Sequence, residues 1–127
     1  MVLPIMDWLY IAATVLFTVY GQVVLKFRLN QLQPLPGHLY DKFSTLFALV
    51  FDPLIFSGFF AAFLASLTWM AALTRFDLSY AYPFMSLSFV FVIIISGLLF
   101  GEPISMQKVL GVMLITGGTY IASKGIS

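Results

Sequence analysis

The chain has 127 residues, 61% of them hydrophobic and 9% charged, with a mean hydropathy of +1.05. A soluble domain carries nearer to about 25% charged residues, so the composition excludes a water-soluble protein and describes an integral membrane protein. No cysteine is present, which excludes a disulfide framework, a thiolate metal site and a cysteine nucleophile, and the net charge of +1 with no basic run offers nothing to nucleic acid.

Four uncharged windows occur, Trp8–Leu25, Pro53–Thr74, Leu78–Gly101 and Val109–Ser123. A helix needs about 20 apolar residues to cross a hydrocarbon layer about 30 Å thick. The windows predict an all-α membrane protein with one domain over residues 1–127. Its four transmembrane helices fall at about residues 5–27, 53–74, 78–100 and 105–123. The opening MVLPIMDW lacks the Lys or Arg of a signal peptide, and no small-residue cleavage site closes the first span. That span is expected to be a mature helix.

The first helix is predicted to start near Pro4 or Asp7. Proline suits a first turn, and a carboxylate there is favoured by the helix dipole. Tyr10, Thr14, Thr18, Gln22 and Lys26 recur at every fourth position. Such spacing keeps neighbours on one face, with a drift of about 40° per step at 3.6 residues per turn. Two readings stay open for this stripe: hydrogen bonding between helices, or the wall of a polar cavity. Lys26 and Arg28, where the helix leaves the bilayer, either snorkel to the interface or dock an anionic headgroup.

Asn30–Leu39 (NQLQPLPGHL) is a loop, broken by Pro34, Pro36 and Gly37. Its lone His38 has no neighbouring ligand set, so no metal site is expected. From Leu39 onward Phe43, Leu46, Phe47 and Val50 share one helical face, opposite Asp41, Lys42, Ser44 and Thr45. This stretch is too short and too charged to span. It predicts a short interfacial amphipathic helix over about residues 39–50 in the first loop.

Asp52-Pro53 is a strong helix start, with Asp as N-cap and Pro at the first helical position. The second span is rich in small residues (Ser57, Gly58, Ala61, Ala62, Ala65, Ser66, Ala71, Ala72), which allow close helix approach. Trp69 and Arg75 mark its far interface. The short Arg75-Phe76-Asp77 connection predicts that the second and third spans are antiparallel neighbours, with Arg75 and Asp77 pairing at the surface.

The third span, LSYAYPFMSLSFVFVIIISGLLFGEPIS, is polar in its first half and apolar thereafter. Tyr82, Met85, Ser86 and Phe89 fall at i, i+3, i+4 and i+7, on one face, and Ser96 and Gly97 extend the small or polar character. Pro83 lies in the first turns, where a missing N–H costs least. Tyr80 and Tyr82 fit an aromatic belt or a lined passage. Glu102 reads either as a cap or interface residue beside Lys108 or as a proton or cation site. In the fourth span Gly111, Leu114 and Gly118 fall at i, i+3 and i+7, a close-packing face for a helix of a second copy. Lys26, Arg28, Lys42 and Lys108 lie on the side of the first and third loops, and Arg75 and Lys124 on the side of the termini. The positive-inside rule places the loops in the cytoplasm, with dual insertion left open.

The ordered set GQVVLK, LSYAYPFMSLSFV, GEPIS and GVMLITGG resembles the small four-helix members of the drug/metabolite transporter superfamily, which are EamA-like, over nearly the whole chain. It is most similar to the small subunits of the aminoarabinose–undecaprenyl-phosphate flippase, with the small multidrug resistance family a more distant relative. In that second family a membrane-embedded Glu of the first helix binds proton and cationic drug. Aligning the Leu-Lys-Phe that ends the helix puts Thr18 at that position, and no acidic residue lies between Trp8 and Leu25. The tyrosine of that family's third helix is kept as Tyr82, and its tryptophan corresponds to Met85.

The flippase resemblance implies a membrane transporter moving a lipid-linked sugar, such as a polyprenyl-phosphate glycoside or another amphiphilic anion, across the bacterial-type cytoplasmic (inner) membrane. Lys26 and Arg28 would hold the phosphate, and Thr14, Thr18, Gln22, Tyr82 and Ser86 the sugar. Asp7 and Glu102 are the candidate coupling carboxylates. Gly111, Leu114 and Gly118 are the candidate dimer-packing residues, for a homodimer or paired small subunit in membrane lipid. No cofactor, metal or enzymatic activity is expected, since no nucleophile–base pair, paired carboxylates or metal cluster is present. A small multidrug or metabolite exporter and a non-transporting subunit of a larger membrane complex are the alternatives.

Overall fold

The computed structural model describes residues 5–32, 34–35 and 37–124, which form helices joined by turns and loops, with no strand among them. The helices are α1 (Ile5–Asn30), α2 (Leu39–Leu49), α3 (Pro53–Leu73), α4 (Leu78–Met85), α5 (Leu87–Leu99) and α6 (Met106–Ser123). Three helical segments are long and apolar enough to cross a membrane: α1, α3, and α4 with α5 taken together as Leu78–Leu99. The predicted fourth span is the 18-residue α6, which is less apolar than these three. Pro4, the suggested start of the first helix, lies outside the described residues.

α1 and α3 form the tightest pair. They meet where Gly21 faces Gly58: a Cβ on Gly21 would lie 3.0 Å from the Gly58 carbonyl oxygen. One on Gly58 would lie 2.9 Å from Val24 Cγ1 and 3.3 Å from the Gly21 oxygen. Backbones this close exclude side chains, and the pair gains its dispersion energy from that proximity. Thr14 Oγ1 lies 2.7 Å from Thr68 Oγ1 on α3 and donates to the Tyr10 carbonyl at 2.7 Å, so this buried hydroxyl does serve as a link between helices.

The start of α3 follows its sequence. Asp52 Oδ1 accepts from the N–H groups of Leu54 at 3.1 Å and Ile55 at 3.4 Å, with Pro53 opening the helix. Its other oxygen accepts from Arg28 Nε at 2.9 Å. Burial pushes the Asp52 carboxyl up, but the Arg28 guanidinium and the two amides outweigh it and hold the group below the usual carboxylate range. A depressed folded-state value means that this stabilisation is present at neutral pH and is lost as the pH falls through the lowered value. Asp52→Ala should lower the thermal midpoint of the detergent-solubilised protein by a few degrees. Asp52→Asn, which keeps the capping acceptor, should lower it less, a ranking that differential scanning fluorimetry can check.

Two expectations about the third span are corrected. It is not one continuous helix: Pro83, the sixth residue of α4, lies in the second turn and precedes a break. The helix is interrupted at Ser86. There the Pro83 carbonyl, freed from a regular α-helical partner, accepts from the Ser86 N–H at 3.1 Å, from the Ser86 hydroxyl, and from Thr119 Oγ1 on α6 at 3.2 Å. Hydroxyls that compete for a backbone carbonyl bend helices, and here one of them comes from a neighbouring helix.

Nor are the second and third spans packed along their length. α4 and α5 pack mainly on α1 and α6, and α3 meets α4 only slightly. The short turn forces adjacency at one end, while beyond it α3 and α5 each pack on α1.

That turn supplies a third correction. Arg75 does not pair with Asp77; its Nε donates to Asp7 Oδ1 at 3.1 Å. Asp77 is the residue before α4; its carbonyl accepts from Tyr80 and Ala81, and its side chain makes no capping hydrogen bond. Trp8 meanwhile packs on Phe76, Tyr80 and Phe84 with ring centroids 5.0, 5.9 and 5.4 Å away, which draws the first turn of α1 against the α3–α4 connection. Tyr80 is therefore buried core and not a belt residue.

α2 covers Leu39–Leu49, one residue shorter than expected, and has no buried residue. The break before α6 is closed by Gly101 at φ +65°, a left-handed position that favours glycine. Ser105 then caps α6 by accepting from the Lys108 N–H at 3.2 Å.

Candidate functional site

Between α3 on one side and α4–α5 on the other, with α1 as its floor, lies a cavity of about 800 Å³. Small residues at Gly58, Ala62, Ala65 and Ser66 make the α3 wall, with Phe59 and Trp69 at its ends. Thr14, Thr18, Gly21, Gln22 and Leu25 come from α1. Ser79, Tyr82, Pro83, Met85, Ser86, Ser88 and Phe89 come from the broken third span. Among the described residues, no Asp, Glu, Lys, Arg or His lines it. The surface is largely apolar, with hydroxyls and one amide set into it, as in small-molecule sites generally.

These polar groups divide into two sets. Thr14 is bonded to Tyr10 and Thr68, Ser66 donates to the Ala62 carbonyl at 3.1 Å, Ser86 is bonded to Pro83 and Thr119, and Ser88 donates to the Met85 carbonyl at 2.7 Å. Thr14 and Ser86 link neighbouring helices, while Ser66 and Ser88 bond only to nearby backbone of their own spans. Thr18, Gln22, Ser79 and Tyr82 make no side-chain hydrogen bond to another described residue, and so carry donors and acceptors open to a ligand. Trp69 and Tyr82 stand edge to face with centroids 5.9 Å apart across the gap between α3 and α4.

The structure thus brings Thr14, Thr18, Gln22, Tyr82 and Ser86 to one cavity. Lys26 and Arg28 lie outside its lining. Lys26 is exposed just beyond Leu25, at one end of the cavity, and makes no ion pair among the described residues. Arg28 is occupied by Asp52 and by Gln31 Oε1 at 2.9 Å. That contact ties Arg28 to the start of α3, where a carboxylate is favoured by the helix dipole. Asp7 is 3% exposed and far from Lys26 along α1, and its Oδ2 has no hydrogen-bond partner among the described residues. Glu102 is half-buried and is not bonded by Lys108, whose Nζ donates instead to the Pro103 carbonyl at 2.8 Å. Gly111, Leu114 and Gly118 are not packed on another helix of the described residues: Leu114 is 77% exposed, and a Cβ at either glycine would find no described atom within 4 Å. Gly97, expected to continue the small face, packs on Ile104 outside the cavity.

Residue-type reasoning missed Ser66, Trp69, Ser79 and Thr119. The α3 wall had a readable signal, since Gly58, Ala62, Ala65, Ser66 and Trp69 fall at i, i+4, i+7, i+8 and i+11. Thr119 had none, because its role depends on the carbonyl exposed by the break at Ser86.

The family model of EamA-like transporters matches residues 52–124, which run from the cap of α3 through α6. The chain belongs to this family. Two of the curated relatives below align over most of the chain, α1 included. A probable 4-amino-4-deoxy-L-arabinose-phosphoundecaprenol flippase subunit ArnE of Pseudomonas fluorescens (strain Pf-5) is 30% identical over 107 residues, 84% of this chain and 88% of the relative. A second ArnE, from Pseudomonas fluorescens (strain Pf0-1), is 37% identical over 67 residues, and there the alignment covers 53% of this chain and 59% of the relative. The ArnF subunit of Proteus mirabilis, carrying the same flippase name, is 28% identical over 121 residues, 92% of this chain and 91% of that one. No solved structure matches the chain. This EamA-like protein is an integral protein of the cytoplasmic membrane, resembling these flippase subunits.

Proposed function

We propose that this EamA-like protein is a small flippase subunit that carries a lipid-linked sugar, such as a polyprenyl-phosphate glycoside, across the cytoplasmic membrane. The observation that carries this reading is the charge-free cavity with unpartnered Thr18, Gln22, Ser79 and Tyr82 in its wall. A sugar needs neutral hydrogen-bonding groups in place of water, and such groups cost far less in the membrane interior than charges do. Thr14 and Ser86 support the walls that present them. The broken helix at Ser86 fits the discontinuous membrane helices that line transporter sites. Lys26 is the phosphate-holding residue at the interface, and the polyprenyl tail stays in lipid beside the open side of the cavity.

In this reading α6 is the fourth span, α2 lies in the interface, and the single four-helix domain acts as a pair. The unpartnered Gly111, Leu114 and Gly118 face of α6 packs on the second copy or a sister subunit, in keeping with relatives named as subunits. Enzymatic chemistry has no place in it, and neither do Asp7 or Glu102 as carriers of a cationic drug, since neither lines the cavity.

The test is translocation of a fluorescent polyprenyl-phosphate glycoside in proteoliposomes. Lys26→Ala should slow it about tenfold or more. Arg28→Ala should act mainly on thermal stability, through the lost Asp52 pair. Wild-type rates in Lys26→Ala would remove the phosphate-holding role.

A further inference from the structure

The far end of the cavity carries a cation that the reading above does not use. Asp7 and Lys26 are 19 positions apart on α1, about 28 Å at about 1.5 Å per residue, close to the hydrocarbon thickness of about 30 Å. Lys26 adjoins the Gln22 and Leu25 end of the cavity. Arg75 lies in the turn flanked by Trp69, Ser79 and Tyr82, which line the opposite end. We propose that Arg75, held in place by Asp7, is a second phosphate site, which receives the lipid-linked phosphate at the membrane face opposite Lys26. This rests on the flippase reading and adds to it the residue that ends the passage.

Three observations carry it. Arg75 is engaged through one edge only: Nε donates to Asp7 Oδ1 at 3.1 Å, and no described residue accepts from its terminal amino groups. Its side chain is 53% exposed, while that of Asp7 is 4% exposed. The guanidinium thus reaches solvent from a buried anchor. A phosphate takes an arginine fork in a bidentate manner, with planar geometry that a lysine lacks.

The anchor is also rigid. Asp7 is followed by Trp8, which is wedged against Phe76 with centroids 5.0 Å apart, and Arg75 is the residue before that ring. Finally, Asp7 Oδ2 is buried without a partner among the described residues. A buried carboxylate left half-satisfied is costly, and a resident counter-ion for one functional cation is a reason to retain it. Asp7 fixes Arg75 in place and, by its charge, keeps an arriving anion from binding too tightly to leave.

The test uses the purified full chain in mild detergent, with binding of undecaprenyl phosphate, undecaprenol and inorganic phosphate followed by native mass spectrometry. Wild type should prefer the lipid phosphate to the lipid alcohol by about tenfold or more. Lys26→Gln and Arg75→Gln should each reduce that preference several-fold, and the double variant should abolish it. Arg75→Lys should retain part of it. Asp7→Asn, which keeps an acceptor for Arg75 and removes the charge, should tighten lipid-phosphate binding several-fold, an outcome that a merely structural pair would not give. If Arg75→Gln does not fold, the Arg75→Lys and Asp7→Asn measurements decide. Wild-type preference in Arg75→Gln, or no tightening in Asp7→Asn, overturns the second site and leaves the flippase reading standing. Absence of any preference in wild type sinks both. Competition by inorganic phosphate as strong as that of the lipid overturns the assignment to a lipid headgroup.

Discussion

Gly21→Leu should prevent the protein from reaching its native fold. The Cβ of any larger residue at this position would stand 3.0 Å from the Gly58 carbonyl oxygen, a backbone atom that cannot turn aside. Overpacking in a well-fitted core costs about 1–3 kcal/mol, and here relief requires α1 and α3 to separate along the contact that organises the bundle. The separation would also open the floor of the cavity, since Gly21 and Gly58 both line it. Gly117→Leu is the comparison, because a Cβ there meets nothing within 4 Å. In detergent, Gly21→Leu should elute as aggregate or melt far below wild type, while Gly117→Leu should elute as wild type does. Equal behaviour of the two would remove the Gly21–Gly58 contact from its central place.

The polar stripe of the first helix shows how far a sequence carries a site. A four-residue spacing drifts about 40° per step, so a stripe of five residues cannot stay on one surface. The middle three, Thr14, Thr18 and Gln22, line the cavity. Tyr10 has turned toward the aromatic core around Trp8, and Lys26 has turned out to solvent. Both readings of the stripe hold for Thr14, which links α1 to α3 and faces the cavity.

The helical windows and the Asp52 cap were legible because they depend on local composition and on neighbours within four residues. Pairings set by packing were not. Arg75 chooses Asp7 over Asp77 because Trp8 brings the first turn of α1 to that connection, a contact 68 residues apart in the chain. The break at Ser86 was half-legible: Pro83 announces trouble, but the donor that fixes the bend is Thr119, on another helix. The separation of the second and third spans was hidden for the same reason. A tight turn constrains one end of two helices, and beyond it each packs on α1 rather than on the other.

Thr18→Glu carries the second large effect. Thr18 lines the cavity with no partner of its own among the described residues, and it is the position at which the multidrug exporters place their carboxylate. A buried glutamate would turn a neutral passage into an acidic one. At an effective dielectric of about 20, like charges about 8 Å apart repel by about 2 kcal/mol, or about thirty-fold in rate for an anionic substrate. The same charge would give a lipophilic cation the counter-ion that wild type lacks. Thr18→Ser, which keeps the hydroxyl, should stay near wild type.

In the function proposed above, a neutral cavity set with hydroxyls passes a sugar on an anionic lipid. Its most direct test is a paired assay in proteoliposomes, with a fluorescent polyprenyl-phosphate glycoside in one arm and a quaternary ammonium compound under a proton gradient in the other. Wild type should move the glycoside and leave the ammonium compound outside, and Thr18→Glu should slow the glycoside about thirty-fold. Proton-driven uptake of the ammonium compound by wild type, with no movement of the glycoside, would contradict the account.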